Sequence, residues 1–364
     1  MKTNIVVNIT RSNSVYPIQI GTGVINDVVK DKAMKRASKV CVITDTVLAA
    51  LWLPHLMEVL GKKEVCVVTI PTGEKNKTLA TLEDILNRMI AHGLNRNSVV
   101  VTLGGGVVCD IGGLAAGLFM RGIPVIHIPT TLLAQVDASM GGKTAVDMNG
   151  LKNMIGIFHQ PEAVYVDIET LSTLPLREHH AGCAEIIKHG VIGDIKLLKM
   201  FKTSSIKMTK KNLIQMILMS CQVKKTIIQQ DELEKKGERK KLNFGHTVGH
   251  AVEAMSLKGT TPLLHGEAVA LGMVAEARMS VIMGHLSIDE EKTIHDCIRN
   301  VGLPTTIPGG SIEEIVKLME HDKKNSADSI LFSLPMKIGH VAVDCVVPHI
   351  IMREAVNHII KKII

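Results

Sequence analysis

The sequence predicts two domains, a parallel α/β domain followed by a mostly helical one. The chain has 364 residues, which is longer than one ordinary hydrophobic core organises. In the first half, short apolar runs alternate with helical periodicity, a pattern typical of a parallel sheet covered by helices. After about residue 175 the strand patterns fade and helical periodicity dominates. We therefore predict an α/β domain over residues 1–176 and an α-helical domain over residues 177–364.

The first domain is predicted to begin with a strand or hairpin and to continue as alternating strands and helices. Apolar residues alternate at Ile5, Val7 and Ile9, which indicates a strand and not a signal peptide. Further strands are predicted at 39–45, 64–70, 98–103 and 124–128. The helices between them are predicted at 46–60, 78–92 and 107–120.

The second domain is predicted to be built from long helices. The helical segments are 178–192, 194–202, 209–230, 242–256, 264–284 and 288–300. Strand patterns return only at 329–334 and 341–346.

Composition favours a globular cytoplasmic protein. The hydrophobic fraction is 46% and the charged fraction 21%, which is typical of a folded chain. Seven cysteines are scattered without a CxxC pair, so a disulfide framework is not expected and a reducing compartment fits. The apolar stretch 99–120 has the length of a membrane span, but it contains six glycines and Asp110. A strand, a glycine-rich turn and a helix explain it better, and no membrane association is expected.

The net charge of +7 raises the alternative of nucleic-acid binding. The basic residues Lys210, Lys211, Lys235 and Lys236 lie on or near helical patterns without interleaved aromatic residues, which form only 2% of the chain. Base stacking needs such aromatic side chains. We therefore interpret these lysines as solvated helix faces and expect no nucleic-acid partner, although an anionic small substrate would use some basic groups.

Three histidines in an apolar context indicate a metal site. His246, His250 and His265 lie among Gly, Ala, Val and Leu, where a ring nitrogen needs a partner. His246 and His250 are four residues apart and share one face of a helix, which suits two ligands of one zinc ion. His265 could complete the site from the next helix.

The turn at Gly104–Gly106 is a candidate phosphate cradle. It stands between a predicted strand and a predicted helix, where glycine allows close backbone approach and the helix N-terminus offers free N–H groups. The pattern is not GxGxxG, and a tight turn without a ligand stays an alternative. Segments 71–77 and 129–131 follow other strands at the same sheet edge, which favours a nucleotide site.

A second group of polar residues follows this edge. Asp137, Lys143, Lys152 and Asn153 stand near glycines, a combination that suits anion binding. Surface loops with solubilising lysines are the alternative.

Several motifs occur together in one order and resemble the 3-dehydroquinate synthase family. They are Gly104–Val108, Met120–Gly122, Pro129–Asp137, Gly141–Lys143, Ala184–Lys188, LNFGHTVGHAVE and HGEAV. The resemblance covers nearly the whole chain, and the architecture is shared with other sugar phosphate cyclases and with polyol dehydrogenases. It implies a Rossmann-like N-terminal domain that binds NAD, an α-helical C-terminal domain that holds one zinc ion, with cobalt as a possible substitute, and a homodimer.

The resemblance assigns roles residue by residue. The metal ligands would be Glu185, His246 and His265, and His250 would be a substrate-side or proton-transfer residue. The alternative for Glu185 and Lys188 is a structural salt bridge within one helix. Substrate would contact Lys152, Asn153, Lys188, Lys224, Arg239, Asn243, His250 and one or both of Lys323 and Lys324, and Arg121 would reach a neighbouring subunit. NAD would contact Asp45, Thr72, Gly73, Glu74, Lys75, Asn76, Lys77, Gly106, Val107, Val108, Cys109, Asp110, Thr130, Thr131, Asp137, Lys143, Lys152, Thr170, Leu171, Ser172 and Thr173.

The implied reaction is the conversion of 3-deoxy-D-arabino-heptulosonate 7-phosphate to 3-dehydroquinate and phosphate, a step of the shikimate pathway. It combines transient oxidation by NAD, β-elimination of phosphate, re-reduction and an intramolecular aldol closure. The alternatives are a related cyclase whose sugar phosphate lacks the carboxylate, and a zinc-dependent polyol dehydrogenase that releases NADH. Two departures from the family stand out. Cys109 replaces a usual glycine, and a longer loop before Arg239 makes Lys224 the better match than Lys225.

Overall fold

The computed structural model describes residues 5–10, 15–149, 151–202, 208–320 and 330–361. The chain divides into two compact units. The first comprises Met1–Pro175 with Leu213–Cys221, and the second comprises Leu176–Asn212 with Gln222–Ile364.

The first unit is built on a seven-stranded sheet in the order β1-β2-β9-β6-β5-β3-β4. Its strands and those of an added hairpin are β1 (Ile5–Thr10), β2 (Val15–Gly21), β3 (Val40–Asp45), β4 (Val65–Ile70), β5 (Val99–Gly104), β6 (Val125–Pro129), β7 (Lys143–Met148), β8 (Leu151–Phe158) and β9 (Ala163–Asp167). β1 and β2 pair in antiparallel orientation. Along the sheet, every neighbouring pair from β2 to β4, that is β2–β9, β9–β6, β6–β5, β5–β3 and β3–β4, is parallel. The carboxyl ends of the parallel strands therefore meet at one edge, where ligands of such sheets bind.

Helices cover this sheet and hydrophobic side chains fill both faces. The helices are α1 (Lys32–Arg36), α2 (Thr46–Leu51), α3 (Leu53–Leu60), α4 (Leu79–Ala91) and α5 (Gly106–Leu118). Every residue of β3 and β5 is buried, as expected of strands in a sheet with two covered faces. The predicted α/β order is confirmed.

Two predictions for this unit were wrong in detail. The single helix predicted at 46–60 is broken at Trp52, because Pro54 stands in the first turn of α3 and cannot donate a hydrogen bond within a continuous helix. No strand was predicted between residues 129 and 175, yet β7, β8 and β9 lie there. β8 was missed because nearly all of its residues are exposed, so its sequence shows no alternation of polar and apolar positions.

The second unit is mostly helical, as predicted. Its helices are α6 (Leu176–Ile192), α7 (Ile195–Met200), α8 (Lys210–Gln230), α9 (His246–Ser256), α10 (His265–Ile282), α11 (Ile288–Asn300), α12 (Ile312–Glu320) and α13 (His349–Ile359), with α8 also contributing to the first unit. Its strands are β10 (Ile307–Pro308), β11 (Leu331–Lys337), β12 (His340–Val346) and β13 (Ile360–Lys361). α10 is buried along most of its length and packs against α6, α9, α11 and α13.

One boundary in this unit differs from the prediction in a way that matters for the site. The helix predicted to begin at residue 242 begins at His246. A 3-10 turn occupies Glu238–Asn243, and Gly245 has φ 81°, a left-handed conformation that ends any helical run before it. His246 is consequently the first residue of α9. Helices α12 and α13 were not predicted.

Among the described residues, the helices are all too short or too polar to cross a membrane.

Candidate active site

Three helices of the second unit bring one carboxylate and two imidazoles together. Glu185 lies on α6, while His246 and His265 are the first residues of α9 and α10. The Nε2 atoms of His246 and His265 lie 3.7 and 3.8 Å from Oε1 of Glu185. All three candidate ligand atoms fall within 4.8 Å of one another, close to the roughly 3.3 Å that separates ligands around a tetrahedral zinc ion.

The buried carboxylate of Glu185 has an oxygen atom that a bound cation would stabilise. Its residue is 0% exposed, and Oε1 has no hydrogen-bonding partner among the described residues. Lys188 forms an ion pair with Oε2. A buried acceptor left without a donor is unfavourable, and a metal ion held between Oε1 and the two histidines would remove that cost.

The second nitrogen of each histidine is held by an acceptor. Nδ1 of His246 lies 3.3 Å from the carbonyl oxygen of Phe244, and Nδ1 of His265 lies 3.3 Å from Oε2 of Glu253. A proton on each Nδ1 leaves the Nε2 lone pairs directed at the shared centre. This is the arrangement that orients histidine ligands of zinc, so the residues present fit a divalent metal.

His250 lies beside this group without belonging to it. Its ring centroid is 5.3 Å from that of His246 and 6.0 Å from that of His265. In the described structure, the group of converging ligand atoms contains Glu185 and not His250. The geometry therefore supports the ligand set implied by the family resemblance over the His246–His250 pair suggested by spacing, and it leaves the His250 ring next to the metal position.

Close packing of two helices brings Glu185 and His265 near each other. A Cβ at Gly266 would lie 1.9 Å from the carbonyl oxygen of Ala181, so the backbones of α10 and α6 touch there. Gly266 follows His265 directly, and Ala181 precedes Glu185 by one helical turn. The absent side chain allows Glu185 and His265 to approach each other.

The buried cations of the protein coincide with the sites assigned by resemblance. The sequence has 42 Lys and Arg residues, and the buried ones in the described ranges are Lys77, Lys188, Lys224 and Arg239. Lys and Arg are rarely buried unless they are paired or functional. Lys224 is buried whereas Lys225 is only half-buried, which supports the choice between them.

A buried acid that the sequence analysis missed holds the loop before Arg239. Asp231 is 2% exposed and accepts hydrogen bonds from the N–H groups of Lys235, Lys236 and Arg239 at 2.7, 3.0 and 3.4 Å. Nη1 of Arg239 donates to the carbonyl oxygen of Glu232 at 2.8 Å. Burial raises the pKa of Asp231, but the three N–H donors outweigh it, and the pKa lies below the usual range.

At the carboxyl edge of the first unit, the glycine turn leads from β5 into α5. A Cβ at Gly104 would lie 2.6 Å from Cβ of Val108, and one at Gly105 would lie 2.9 Å from Cγ2 of Thr131. Gly105 caps α5 without a side-chain hydrogen bond, so the first N–H groups of the helix remain available to an anion. Oγ1 of Thr130 is buried without a partner among the described residues. These features fit a phosphate-containing cofactor.

Cys109 lies in the hydrophobic core, on the buried side of this turn. Its Sγ lies 3.8 Å from Oγ1 of Thr102 and 3.9 Å from the carbonyl oxygen of Gly104, inside the core. Burial raises the pKa of the Cys109 thiol to about 12, so it is a protonated core residue.

Lys77 connects three segments of the first unit. It is 3% exposed, and its Nζ donates to Oδ2 of Asp110 at 2.6 Å and to Oδ1 of Asn153 at 2.5 Å. Nζ of Lys152 lies 3.7 Å from Oε1 of Glu74. The structure thus brings together five residues that the resemblance assigned separately to NAD and substrate.

Asp147 supports this network and was also missed by the sequence analysis. Its Oδ1 accepts the N–H of Asn153 at 2.8 Å, and its own N–H donates to the carbonyl oxygen of Lys77 at 2.8 Å. Asn153 has a φ of 53°, which the Asp147 contact helps to hold. Asp147 belongs to no sequence motif, because its contact with Asn153 forms only when β7 and β8 pair.

Several other residues that the resemblance assigns to NAD lie near the same edge of the sheet. Oδ1 of Asp45 accepts the N–H groups of Val47 and Leu48 at 2.8 and 3.0 Å and the Oγ1 hydroxyl of Thr72 at 3.2 Å. Nε2 of Gln135, which received no role from the sequence, donates to Oγ1 of Thr170 at 3.1 Å and to two backbone carbonyls. Gln135 thereby ties the end of β6 to the turn that follows β9.

The other assigned residues differ in their exposure. Gly73, Lys75, Lys143, Ser172 and Thr173 are exposed, as is Arg121, and Asn76, Gly106, Val107, Thr131, Asp137 and Asn243 are half-buried, whereas Val108 and Leu171 are buried. Lys323 and Lys324 lie outside the described residues.

Two family models together match most of the chain. Residues 67–181 match the model described as 3-dehydroquinate synthase N-terminal, and residues 182–325 match the model described as 3-dehydroquinate synthase C-terminal.

Relatives of known name agree with these models. The 3-dehydroquinate synthase of Colwellia psychrerythraea is 42% identical over 338 residues, covering 92% of this chain and 95% of the relative. That of Desulforamulus reducens is 42% identical over 344 residues, covering 92% and 94%.

Solved structures show the same architecture. A 2-deoxy-scyllo-inosose synthase complexed with carbaglucose-6-phosphate, NAD+ and Co2+ is 27% identical with a TM-score of 0.88, covering 97% of this chain and 99% of that one. The 2-epi-5-epi-valiolone synthase of Streptomyces hygroscopicus, with NAD+ and Zn2+ bound, is 25% identical with a TM-score of 0.86, covering 97% and 98%. A probable glycerol dehydrogenase from Sinorhizobium meliloti, at 16% identity and a TM-score of 0.64, shares the fold.

Proposed function

Because the chain belongs to the 3-dehydroquinate synthase family, we propose that it converts 3-deoxy-D-arabino-heptulosonate 7-phosphate to 3-dehydroquinate and phosphate. The observation that carries this proposal is the convergence of Glu185, His246 and His265 in a unit that also buries Lys188 and Arg239. A metal centre with buried cations suits a substrate that has hydroxyl, carboxylate and phosphate groups.

The second unit would hold the divalent metal and much of the substrate. Glu185, His246 and His265 would bind Zn2+, or Co2+ in its place. The bound metal supplies Lewis-acid polarisation of substrate oxygen atoms. The His250 ring, 5.3 Å from that of His246, is placed to accept or return a proton.

The first unit would bind NAD at the carboxyl edge of its sheet. The free N–H groups at the start of α5 would receive the pyrophosphate, and the Thr130 hydroxyl would gain the partner that it lacks among the described residues. Lys77, Asp110, Lys152 and Asn153 would form the polar wall beside it. When bound, NAD would supply a reversible hydride acceptor, and because the reaction has no net oxidation, no NADH is expected to accumulate.

One assay tests this function against its rivals. Purified protein is incubated with NAD, Zn2+ and the heptulosonate phosphate, and inorganic phosphate and NADH are measured together. Phosphate release without NADH accumulation is expected. Formation of NADH from a polyol, without phosphate release, would show a polyol dehydrogenase instead.

A cyclase acting on a sugar phosphate without a carboxylate is the second candidate, because two structural neighbours are synthases of other names and one of them was solved with carbaglucose-6-phosphate. The identity of 42% to 3-dehydroquinate synthases, against 25–27% to these neighbours, favours the first. Glucose 6-phosphate and sedoheptulose 7-phosphate, assayed in parallel for phosphate release, distinguish the two.

The metal ligands have a direct test. Glu185→Ala should lose bound zinc, measured by elemental analysis of the purified protein, and phosphate release with it. Glu178→Ala on the same helix, a residue outside the site, serves as the control and should keep both. Retention of stoichiometric zinc by Glu185→Ala would refute the ligand set.

We further propose that the protein acts as a homodimer in the cytoplasm. None of the seven cysteines forms a disulfide, which suits a reducing compartment. Self-association is supported by the exposed apolar side chains of the β7–β8 hairpin, each between 37% and 44% exposed. These are Met148, Leu151, Met154, Ile155, Ile157 and Phe158.

In this dimer Arg121 would act on the substrate bound by the partner. Arg121 is exposed with a φ of 69°, a conformation that costs energy for a residue with a side chain. Arg121→Ala and His250→Ala are each expected to be inactive. Mixed dimers of the two, isolated through two different affinity tags, should regain activity, because one site then has both residues. Inactive mixed dimers would show that Arg121 acts within its own subunit.

A further inference from the structure

Glu276 is a carboxylate buried in the middle of α10. Its residue is 0% exposed, and it lies in a helical stretch of mostly small and apolar residues. Oε2 accepts the N–H of Gly245 at 2.6 Å, and Oε1 accepts the N–H of Val248 at 3.1 Å. Both donors belong to the N-terminus of α9, whose first residue is His246.

These two N–H groups are the ones that a capping box satisfies. In that motif, the side chain of the N-cap residue bonds to the third residue of the helix, and the side chain of the third residue bonds back to the N-cap. Here Gly245 is the N-cap and Val248 the third residue, and neither has a polar side chain. One carboxylate from the neighbouring helix takes both positions.

The packing of α9 against α10 explains why the cap comes from outside α9. A Cβ at Gly245 would lie 2.5 Å from Cγ of Met273 and 2.9 Å from the carbonyl oxygen of Val269. A Cβ at Gly272 would lie 1.9 Å from the carbonyl oxygen of Gly245. The two backbones touch, so a Ser, Thr or Asp side chain at position 245 has no space.

The consequence concerns the metal ligand. Glu276 holds the backbone on both sides of His246, at residues 245 and 248. It therefore fixes the position of the His246 Cα, from which the imidazole side chain extends. The negative carboxylate also favours the positive end of the α9 dipole. Burying a carboxylate is unfavourable without such compensation, and packing alone would be served by an apolar residue.

We propose that Glu276 is a positioning residue of the metal centre, which sets His246 at binding distance from Glu185 by capping α9 from α10. This inference rests on the proposed metal site. It assigns to Glu276 no contact with metal or substrate.

The test is metal affinity in Glu276→Gln. The amide keeps the size of the side chain, but its NH2 group cannot accept a hydrogen bond, so one of the two N–H contacts is lost. We expect Co2+ affinity, measured by competition with a chromophoric chelator, to fall 10–100-fold, the usual effect of losing a group that orients a ligand. The visible spectrum of bound Co2+ should change as His246 shifts.

A matched control separates positioning from general stability. Ser280 lies one turn further along α10, is 0% exposed, and donates its hydroxyl to the Glu276 carbonyl oxygen. Ser280→Ala should lower the thermal midpoint of the metal-free protein yet keep the Co2+ affinity and spectrum. NADH binding, followed by its fluorescence, should be unchanged in both variants.

Wild-type Co2+ affinity and spectrum in Glu276→Gln would overturn the inference. If that variant does not fold, Glu276→Asp decides, because its shorter carboxylate keeps the charge. We then expect a measurable loss of Co2+ affinity of less than tenfold. Unchanged Co2+ affinity and an unchanged spectrum in Glu276→Asp overturn the proposal. Failure of the metal site itself has a different signature, which is the absence of Co2+ binding in wild type or its persistence in Glu185→Ala.

Discussion

Lys77 is a buried lysine whose ammonium group lies beside the carboxylates of Asp110 and Glu74. Burial lowers the pKa of Lys77, but the charges of Asp110 and Glu74 more than compensate, and its pKa lies above the usual value. The ammonium group therefore stays charged while it holds Asp110 and Asn153 in place. The resemblance marked Lys77 as a cofactor residue, but only the folded structure shows the contact with Asn153, because the two residues come from distant parts of the chain.

Asp147→Ala should weaken catalysis through Asn153. The change removes the acceptor of the Asn153 N–H, and we expect kcat/KM for the phosphorylated substrate to fall about tenfold, which corresponds to roughly 1.4 kcal/mol of transition-state stabilisation. Asp84→Ala, which breaks an exposed pair with Arg88, is the control. Equal kcat/KM in both variants would contradict this role for Asp147.

His127 should make stability fall in mild acid. Burial, with the nearby His159, lowers the pKa of His127 to about 3, and its Nδ1 lies 2.7 Å from Oγ1 of Thr102. The unfolded chain, with a pKa of about 6.5, binds a proton that the folded form does not, so this residue lowers the free energy of unfolding as pH falls from about 6.5 to 3.

The expected slope from His127 is up to about 1.4 kcal/mol per pH unit. It can be measured by urea unfolding at several pH values, with His127→Gln as the comparison. The variant should show a pH dependence shallower by nearly one proton between pH 6 and pH 4. Parallel curves would mean that His127 is protonated in the folded protein.

At the scale of elements, glycine contacts among α6, α9 and α10 bring the proposed ligands Glu185, His246 and His265 together. The motifs GHTVGH and HGEAV identified the segments that carry the histidines. Helical periodicity, however, predicted that α9 begins at residue 242, four residues before its observed start. Gly245 is left-handed where α9 packs against α10, since a Cβ there would lie 2.5 Å from Cγ of Met273, and the 3-10 turn before it packs against β11, β12 and α6. Helical periodicity does not report such contacts, because it reflects only which face of a segment is apolar.

Gly266→Ala should disturb both stability and metal binding. The new Cβ would meet the Ala181 carbonyl at 1.9 Å, so α6 and α10 must separate, which typically costs about 1–3 kcal/mol. We expect a lower urea midpoint and less bound zinc. Gly259→Ala, whose Cβ would meet only the Ser256 carbonyl oxygen at 3.3 Å, should change stability by less than about 0.5 kcal/mol. Normal zinc content in Gly266→Ala would show that the helices can adjust.

At the scale of the whole molecule, β8 is an exposed apolar edge strand. It pairs with β7, and no other described strand pairs with it. Its only charged residue is Lys152, so two copies related by a two-fold axis would meet with little charge repulsion. Soluble proteins rarely leave a long apolar edge uncovered, which supports association of a second copy there.

If the protein forms the proposed dimer through β8, Ile157→Asp should convert it to monomer. A charge at this position would be buried without a partner in the interface, and analytical ultracentrifugation measures the result. Ile90→Asp, which changes a residue on α4 that is 65% exposed, is the control and should leave the mass unchanged. A dimer that survives Ile157→Asp would place the interface elsewhere.

The sequence by itself determined the family, the order of strands and helices in most of the chain, and the residue types of the site. These features are local: periodicity marks the face of an element, glycine marks a tight turn, and motif strings carry the resemblance. Tertiary structure decided which residues meet. It brought Glu185 to His246 and His265, buried Lys77, Lys188, Lys224 and Arg239, assigned Asp147, Asp231 and Glu276 to supporting contacts, and left β8 exposed. The physical reason is that ligand geometry and charge burial depend on how closely separate helices and strands approach, which spacing along one segment does not encode.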